Sequence, residues 1–230
     1  MDSQQNNNMS LTFNILDWKA WTQTHSDAQP DVSAIPPMLR RRLSVIGRAA
    51  ISVIMPLMHN HGAMPLVYIS RHGDLTRTLG LLEELARNEP MSPTAFSLSV
   101  HNATAGLLSI QQSLTHNVTA ISAGANDLVP ALLEAIGLCD AQNPRVLCVF
   151  CDEPPPPVYQ HQVDQPAQAY ALALVIERGS NWQLAHKTET VGMDNSQPQA
   201  LQLMALLQQG AGELDVASNS SCWRLRWYPT

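Results

Sequence analysis

A chain of 230 residues with 45% hydrophobic content is long enough to bury a full-sized core. Only 14% of its residues are charged, against about 25% in ordinary soluble domains, and uncharged polar residues hold the mean hydropathy at -0.10. Intrinsic disorder is excluded, because it couples low hydrophobicity to high net charge. A net charge of -6 also argues against nonspecific nucleic-acid binding. So few charges mean either that much surface is buried in a partner or that the chain is simply rich in amides.

The opening residues, Met1 to Asn8, carry neither a basic nor an apolar region and do not form a secretory signal. The most apolar stretch, Leu43 to Met58, is broken by Arg48 and Pro56. It falls short of the roughly 18 uncharged apolar residues a membrane span requires. Four cysteines do not make a disulfide scaffold. The expectation is a soluble cytoplasmic chain with no membrane span and no nucleic-acid partner.

From Ser10 to Trp18, Leu11, Phe13 and Ile15 alternate with Thr12 and Asn14 and predict a strand. After a loop with Pro30, Pro36 and Pro37, apolar residues at 39, 43, 46, 50, 53, 54 and 57 predict a helix. Arg40, Arg41 and Arg42 lie at its start, where the helix dipole favours anions; a solvated basic turn is the plainer reading. Pro65 to Ser70 reads as a buried strand, and Asp74 is placed to cap a helix bearing Leu75, Leu79, Leu82 and Leu85. Ser92 and Pro93 open a segment expected to be helical at least from Ser97 to Gln112. Its small residues, among them Ser99, Ala103, Ala105 and Gly106, would let a second backbone approach closely.

Asn117 to Ser122 is a short strand, and Gly124 with Asn126 and Asp127 turns it into a helix with Leu128, Leu132, Leu133 and Ile136. Arg145 to Cys151 is a continuous apolar strand, as in a sheet covered on both faces. The proline-rich run Asp152 to Pro157 stops it. Gln168 to Glu177 is a further strand, with a reverse turn expected at Arg178 and Gly179. A helix from Gln199 to Gln209 ends at Gly210. A closing strand, Cys222 to Tyr228, alternates Trp223, Leu225 and Trp227 with Arg224 and Arg226. Strands alternating with helices, without repeat or linker, indicate one layered α/β domain spanning 1–230.

Candidate chemistry is thin. Cys148 and Cys151 have CxxC spacing, but residues three apart in a strand point to opposite faces and cannot readily share a metal or a disulfide. Buried structural cysteines are the better reading, and no metal or cofactor site is expected. His59 and His61 sit in a helix-to-strand turn with no carboxylate in the motif, which favours a polar loop. Ser70 to Asp74 ends a strand at a helix entry, a common place for sites in α/β folds, though a cap with Gly73 supplying the turn explains it as well. Glycine-rich phosphate loops and the GxSxG elbow are absent.

Ser122 to Asn126 matters most. A strand, a tight turn and a helix N-terminus is where enzymes place a nucleophile, because the helix dipole lowers a thiol's pKa there. Here the frame carries the methyl group of Ala125, which can neither attack an acyl group nor hold one.

The stretch from Met91 to Ile110, with Ser92, Pro93 and an Asn102 inside a small-residue helix, continues through Asn117 to Ala125 and resembles the β-ketoacyl synthases. Arg40 to Leu43 and Ser70 to Gly73 further resemble a short branch of that family found with aryl polyene biosynthesis. The resemblance runs from Ser10 to Glu177, taken as the domain's core. It implies half of a thiolase-like (ketosynthase) fold, an α/β mixed sheet with helices on both faces. The family's second half carries two histidines that assist decarboxylation and condensation; the tail after Glu177 is too short for it and holds only His186.

A ketosynthase-like chain without a nucleophile resembles a chain-length factor, which implies no catalytic residue at the vacant Ala125. It also implies pairing with a full-length β-ketoacyl synthase and an acyl carrier protein that delivers the chain. Phe96, Leu98, His101, Asn102, Thr119 and Ile121 are the implied partner-interface and tunnel residues. In that family the strand before the nucleophile, here Asn117 to Ser122, pairs across the dimer axis. Two alternatives are a stand-alone acyl transferase or hydrolase using Ser122 or a cysteine near the strand ends, and an acyl-carrier-protein-binding scaffold. The pairing reading makes the isolated chain poorly soluble.

Overall fold

The apolar run at 145–151 is the spine of the molecule. In a computed structural model it forms β4 (Arg145–Asp152), with every residue after Arg145 buried. The structure describes residues 9–23, 29–163, 166–187, 196–218 and 221–228; the amide-rich opening 1–8 lies outside them. On one side β4 pairs in parallel with β2 (Leu66–Ile69), and β2 in turn with β3 (Val118–Ile121). On the other it pairs antiparallel with the long β5 (Tyr170–Lys187). β1 (Ser10–Thr22) runs antiparallel along β5, and β7 (Ser221–Trp227) and β6 (Gly212–Ser218) complete a mixed seven-stranded sheet. Its order is β3-β2-β4-β5-β7-β6, with β1 beside β5.

Strand periodicity sorts the side chains into two cores. Val146, Cys148 and Phe150, with Leu172, Leu174 and Ile176, face α6 (Leu128–Leu138) and α7 (Gln199–Gln209). Leu147, Val149 and Cys151, with Ala171, Ala173 and Val175, face α2 (Val45–His61) and α5 (Ala103–Gln111). Each buried Leu, Ile or Phe contributes about 1.5–3 kcal/mol. Helices therefore cover both faces, and the CxxC thiols lie in different cores as strand geometry requires. Both are free, and burial pushes both thiols far above their usual range.

Several elements depart from expectation. The helix predicted from Leu39 is two: α1 (Pro37–Arg40), a turn, and α2 capped by the Ser44 side chain. Leu39, Leu43, Ile46 and Leu57 are nonetheless all buried on one side, because the turn keeps the stripe in phase. Arg40 consequently ends α1, and Arg41 and Arg42 occupy the turn before α2. The segment expected to be helical from Ser97 to Gln112 is also broken, into α4 (Pro93–Ser99) and α5, because Val100 is extended.

No reverse turn forms at Arg178 and Gly179. β5 continues to Lys187 by bulging against β1, whose register passes from Asn14↔Glu177 to Phe13↔Trp182. The Asn14 Oδ1 accepts the Ser180 and Asn181 N–H groups at 3.0 Å each and fills the bulge. A Cβ on Gly179 would overlap that side chain, so glycine is required by space. The extra strand length receives β7, and the Trp182 and Trp227 rings stack 4.9 Å apart. Leu203, Trp223 and Leu225 join the α6/α7 core, which thus extends well past Glu177.

β6 was not expected. It is an edge strand guarded by charge: Asp215 meets Arg224 at 2.7 Å and Lys187 at 2.9 Å, and Glu213 meets Arg226 at 2.6 Å. The Arg224 hydrogen bond dominates the pull that lowers the Asp215 carboxyl to about 2.

Candidate functional site

The C-terminal ends of β2, β3 and β4 converge at Ser70, Ser122 and Asp152. Such strand ends are where open α/β sheets bind ligands. Asp152, 2% exposed, organises them. Its carboxylate accepts the Ser70 Oγ–H at 2.7 Å, the Arg71 N–H at 3.0 Å and the His72 N–H at 3.3 Å, and the Tyr170 hydroxyl donates at 3.4 Å. The Gly73 N–H donates to Ser70 Oγ at 2.8 Å, and Gly73 supplies the positive φ of +62° that closes the loop. Asp74 then caps α3 (Leu75–Ala86) by accepting from the Arg77 N–H. The Ser70-to-Asp74 motif is thus an anchored turn and cap.

The turn after β3 is held from below. Ser122 Oγ donates to the Arg71 carbonyl at 3.0 Å. The apex is Gly124, at φ +67°, and Ala125 follows it, exposed. Neither carries a nucleophilic atom. Ser122 has already committed its proton, and among the described residues no imidazole is bonded to it. All four cysteines are buried and none lines this turn.

Beneath the apex lies a cavity of ≈ 10 Å³, room for about one water. Arg71, Gly124, Ala125, Asp127, Asp152 and Tyr170 line it. Asp127 occupies the N-cap position of α6 without capping it; the Gln199 side chain from α7 accepts the Leu128 N–H instead, at 3.2 Å. Gln199 also donates to the Ala217 carbonyl at 2.8 Å. Asp127 is 4% exposed, and its Oδ1 has no partner among the described residues. Burial, then the neighbouring Asp152 charge, pushes its carboxyl up to about 7. Burial likewise raises Asp152, against the hydrogen bonds from Arg71 N–H and Ser70.

The six implied interface residues fall into two groups. Phe96 is 59% exposed on α4, while Leu98 and Asn102 line an open groove of ≈ 390 Å³ with Val100, Gly106 and Ile110. His101 instead turns inward: its Nε2 meets the Ser70 carbonyl at 2.8 Å and its ring stands edge-on to Tyr68. Thr119 and Ile121 are half-buried on β3, with Ile121 packed against the α6 side of the sheet. Val118 and Ala120, on the other face, are exposed. Within the chain α5 lies close to α2, where a Cβ on Gly47 would come within 2.9 Å of Thr104 Oγ1; the space over Gly106 is open.

Two features escaped sequence reasoning. His61 does have a carboxylate, Asp17 of β1 at 3.0 Å, which distance along the chain concealed. The Asp127–Asp152 pair was invisible because an Asp at a helix entry ordinarily caps in water. Among the described residues no group of three or more His, Cys, Asp or Glu could hold a metal, and no helix is long and apolar enough to cross a membrane.

The β-ketoacyl synthase N-terminal domain model matches residues 17–227. The chain belongs to that family. No curated protein matches it. Among solved structures, "Ketosynthase (ApeO) in Complex with its Chain Length Factor (ApeC)" from Xenorhabdus doucetiae is 29% identical, with a TM-score of 0.82, covering 94% of this chain and 99% of that one. The ishigamide ketosynthase/chain length factor is 14% identical (TM-score 0.55), covering 68% of this chain and 52% of that one. A β-ketoacyl synthase from Burkholderia phymatum is 13% identical (0.52), covering 66% and 46%. The chain thus has a ketosynthase fold and spans about half the length of the latter two.

Proposed function

We propose that this ketosynthase-like chain is a non-catalytic chain-length factor, acting as one domain in the cytoplasm. It pairs with a full-length β-ketoacyl synthase and shapes the acyl tunnel during polyene, polyketide or fatty-acid-like elongation. The partner supplies the nucleophile and histidines, and an acyl carrier protein delivers the chain. The observation that carries this reading is the contrast between two sheet edges. β6 is guarded by an ionic ladder, whereas β3 ends the sheet with no charged residue from Asn117 to Ser122. Val118 on β3, and Phe96, Val100 and Ile110 on the α4–α5 segment, are 37–79% exposed. An unguarded edge next to exposed apolar groups calls for a covering chain.

The turn at Gly124 and Ala125 supports the non-catalytic half of the reading, since it offers no atom to hold an acyl group. The assay is elongation by a full-length β-ketoacyl synthase with and without this chain. Longer or newly formed products on its addition support the role, and an unchanged product set overturns it.

A further inference from the structure

The cavity under the Gly124 apex has a feature that helix capping does not explain. Asp127 gives up the cap it is placed to make; its Oδ1 is buried with no partner among the described residues, and Asp127 lines a space already holding a second buried carboxylate. The cap is supplied from α7 by Gln199, so the carboxyl is free of any duty to α6. Two buried carboxylates facing one small cavity cannot both be ionised cheaply.

The geometry points to a proton-binding site: Asp127 and Asp152 hold one proton between them, and its release loosens the 122–127 turn. The other groups facing the pair are Arg71 and His72 from the turn after β2, and Tyr170 from β5. Glu153, Cys148 and Cys151 follow from β4, with Tyr68 from β2 behind them. The main-chain N–H groups of Arg71 and His72 and the Ser70 hydroxyl all aim at Asp152, which assigns the negative charge to Asp152 and the proton to Asp127. When Asp127 ionises, the turn opens to give it water.

Linkage sets the form of the response. Asp127 ionises at about 7 in the closed turn, and an open, solvated carboxyl ionises near 4. Opening then rises about tenfold per pH unit between those values and levels off above 7. The experiment is hydrogen exchange of residues 122–128 by mass spectrometry on the full chain from pH 5 to 9, with rates corrected for intrinsic exchange. The expected result is that rise and plateau in the native chain, and a flat profile in Asp127→Asn, which mimics the protonated acid. A flat native profile, or the same rise in Asp127→Asn, overturns the proposal. Thermal unfolding of both proteins at pH 5, where Asn matches the protonated acid, checks that the variant is folded. Should Asp127→Asn fail that check, Asp127→Ser takes its place with the same flat expectation.

Discussion

Ser70 Oγ donates to Asp152 Oδ1 at 2.7 Å, tying the end of β2 to the end of β4 inside the protein. The same carboxylate holds two backbone N–H groups of the turn that follows, so one side chain closes three donors that β2 leaves unpaired. Removing it takes away their shared acceptor in a largely buried setting. Asp152→Ala is expected to cost about 3 kcal/mol or more, and Asp152→Asn less, since an amide oxygen still accepts. Denaturant midpoints check this.

The Asp127 carboxyl makes global stability depend on pH. Its folded value, about 7, exceeds its unfolded value, so the folded state binds the extra proton. The stabilisation is full below pH 4 and is lost as pH rises towards 7, at no more than about 1.4 kcal/mol per pH unit. Asp152 is shifted in the same direction. Urea unfolding from pH 5 to 8 should show stability falling with pH, and Asp127→Asn should flatten the slope.

At the β1/β5 bulge, a side chain at position 179 has no room beside Asn14. Gly179→Ala is expected to destabilise by about 1–3 kcal/mol. Asn14→Ala alone leaves the Ser180 and Asn181 N–H groups without their acceptor. Because both changes act on one bulge, the double variant should lose less than the sum, read as a coupling energy in a double-mutant cycle.

Restoring a thiol to the turn should not restore chemistry. Gly124→Cys places a side chain at φ +67°, at a cost of about 1–2 kcal/mol, with open space around it; Ala125→Cys carries no such strain. Both thiols should react with an alkylating reagent. Neither variant, as an isolated chain, is expected to condense an acyl and a malonyl thioester, because among the described residues no histidine lines the cavity at the turn.

How much of this was readable beforehand follows from how local each cause is. Alternation at Phe13 and Ile15, the apolar run at β4 and the Asp74 cap are short-range, and each produced the element its pattern implies. The opposed CxxC thiols followed from strand geometry alone. What failed depends on distant residues. Arg178 and Gly179 read as a turn until Asn14 is seen filling the bulge. β6, with Glu213 and Asp215 in its run, reads as a loop until Arg224 and Arg226 pair with it. The turn between β3 and α6 was legible from Ser122 to Asn126, but the acid pair beneath it required β4, α6 and α7 to meet.

The proposed role requires β3 to pair with a catalytic partner. Co-expression of this chain with a full-length β-ketoacyl synthase, with mass measured by size exclusion and light scattering, reads that pairing. A stable heteromeric complex is expected. Ala120→Lys, a charge on the exposed face of β3, is expected to weaken association by at least about 100-fold while raising the soluble yield of the isolated chain. Separate elution of the two wild-type chains, or a complex indifferent to Ala120→Lys, would contradict the pairing.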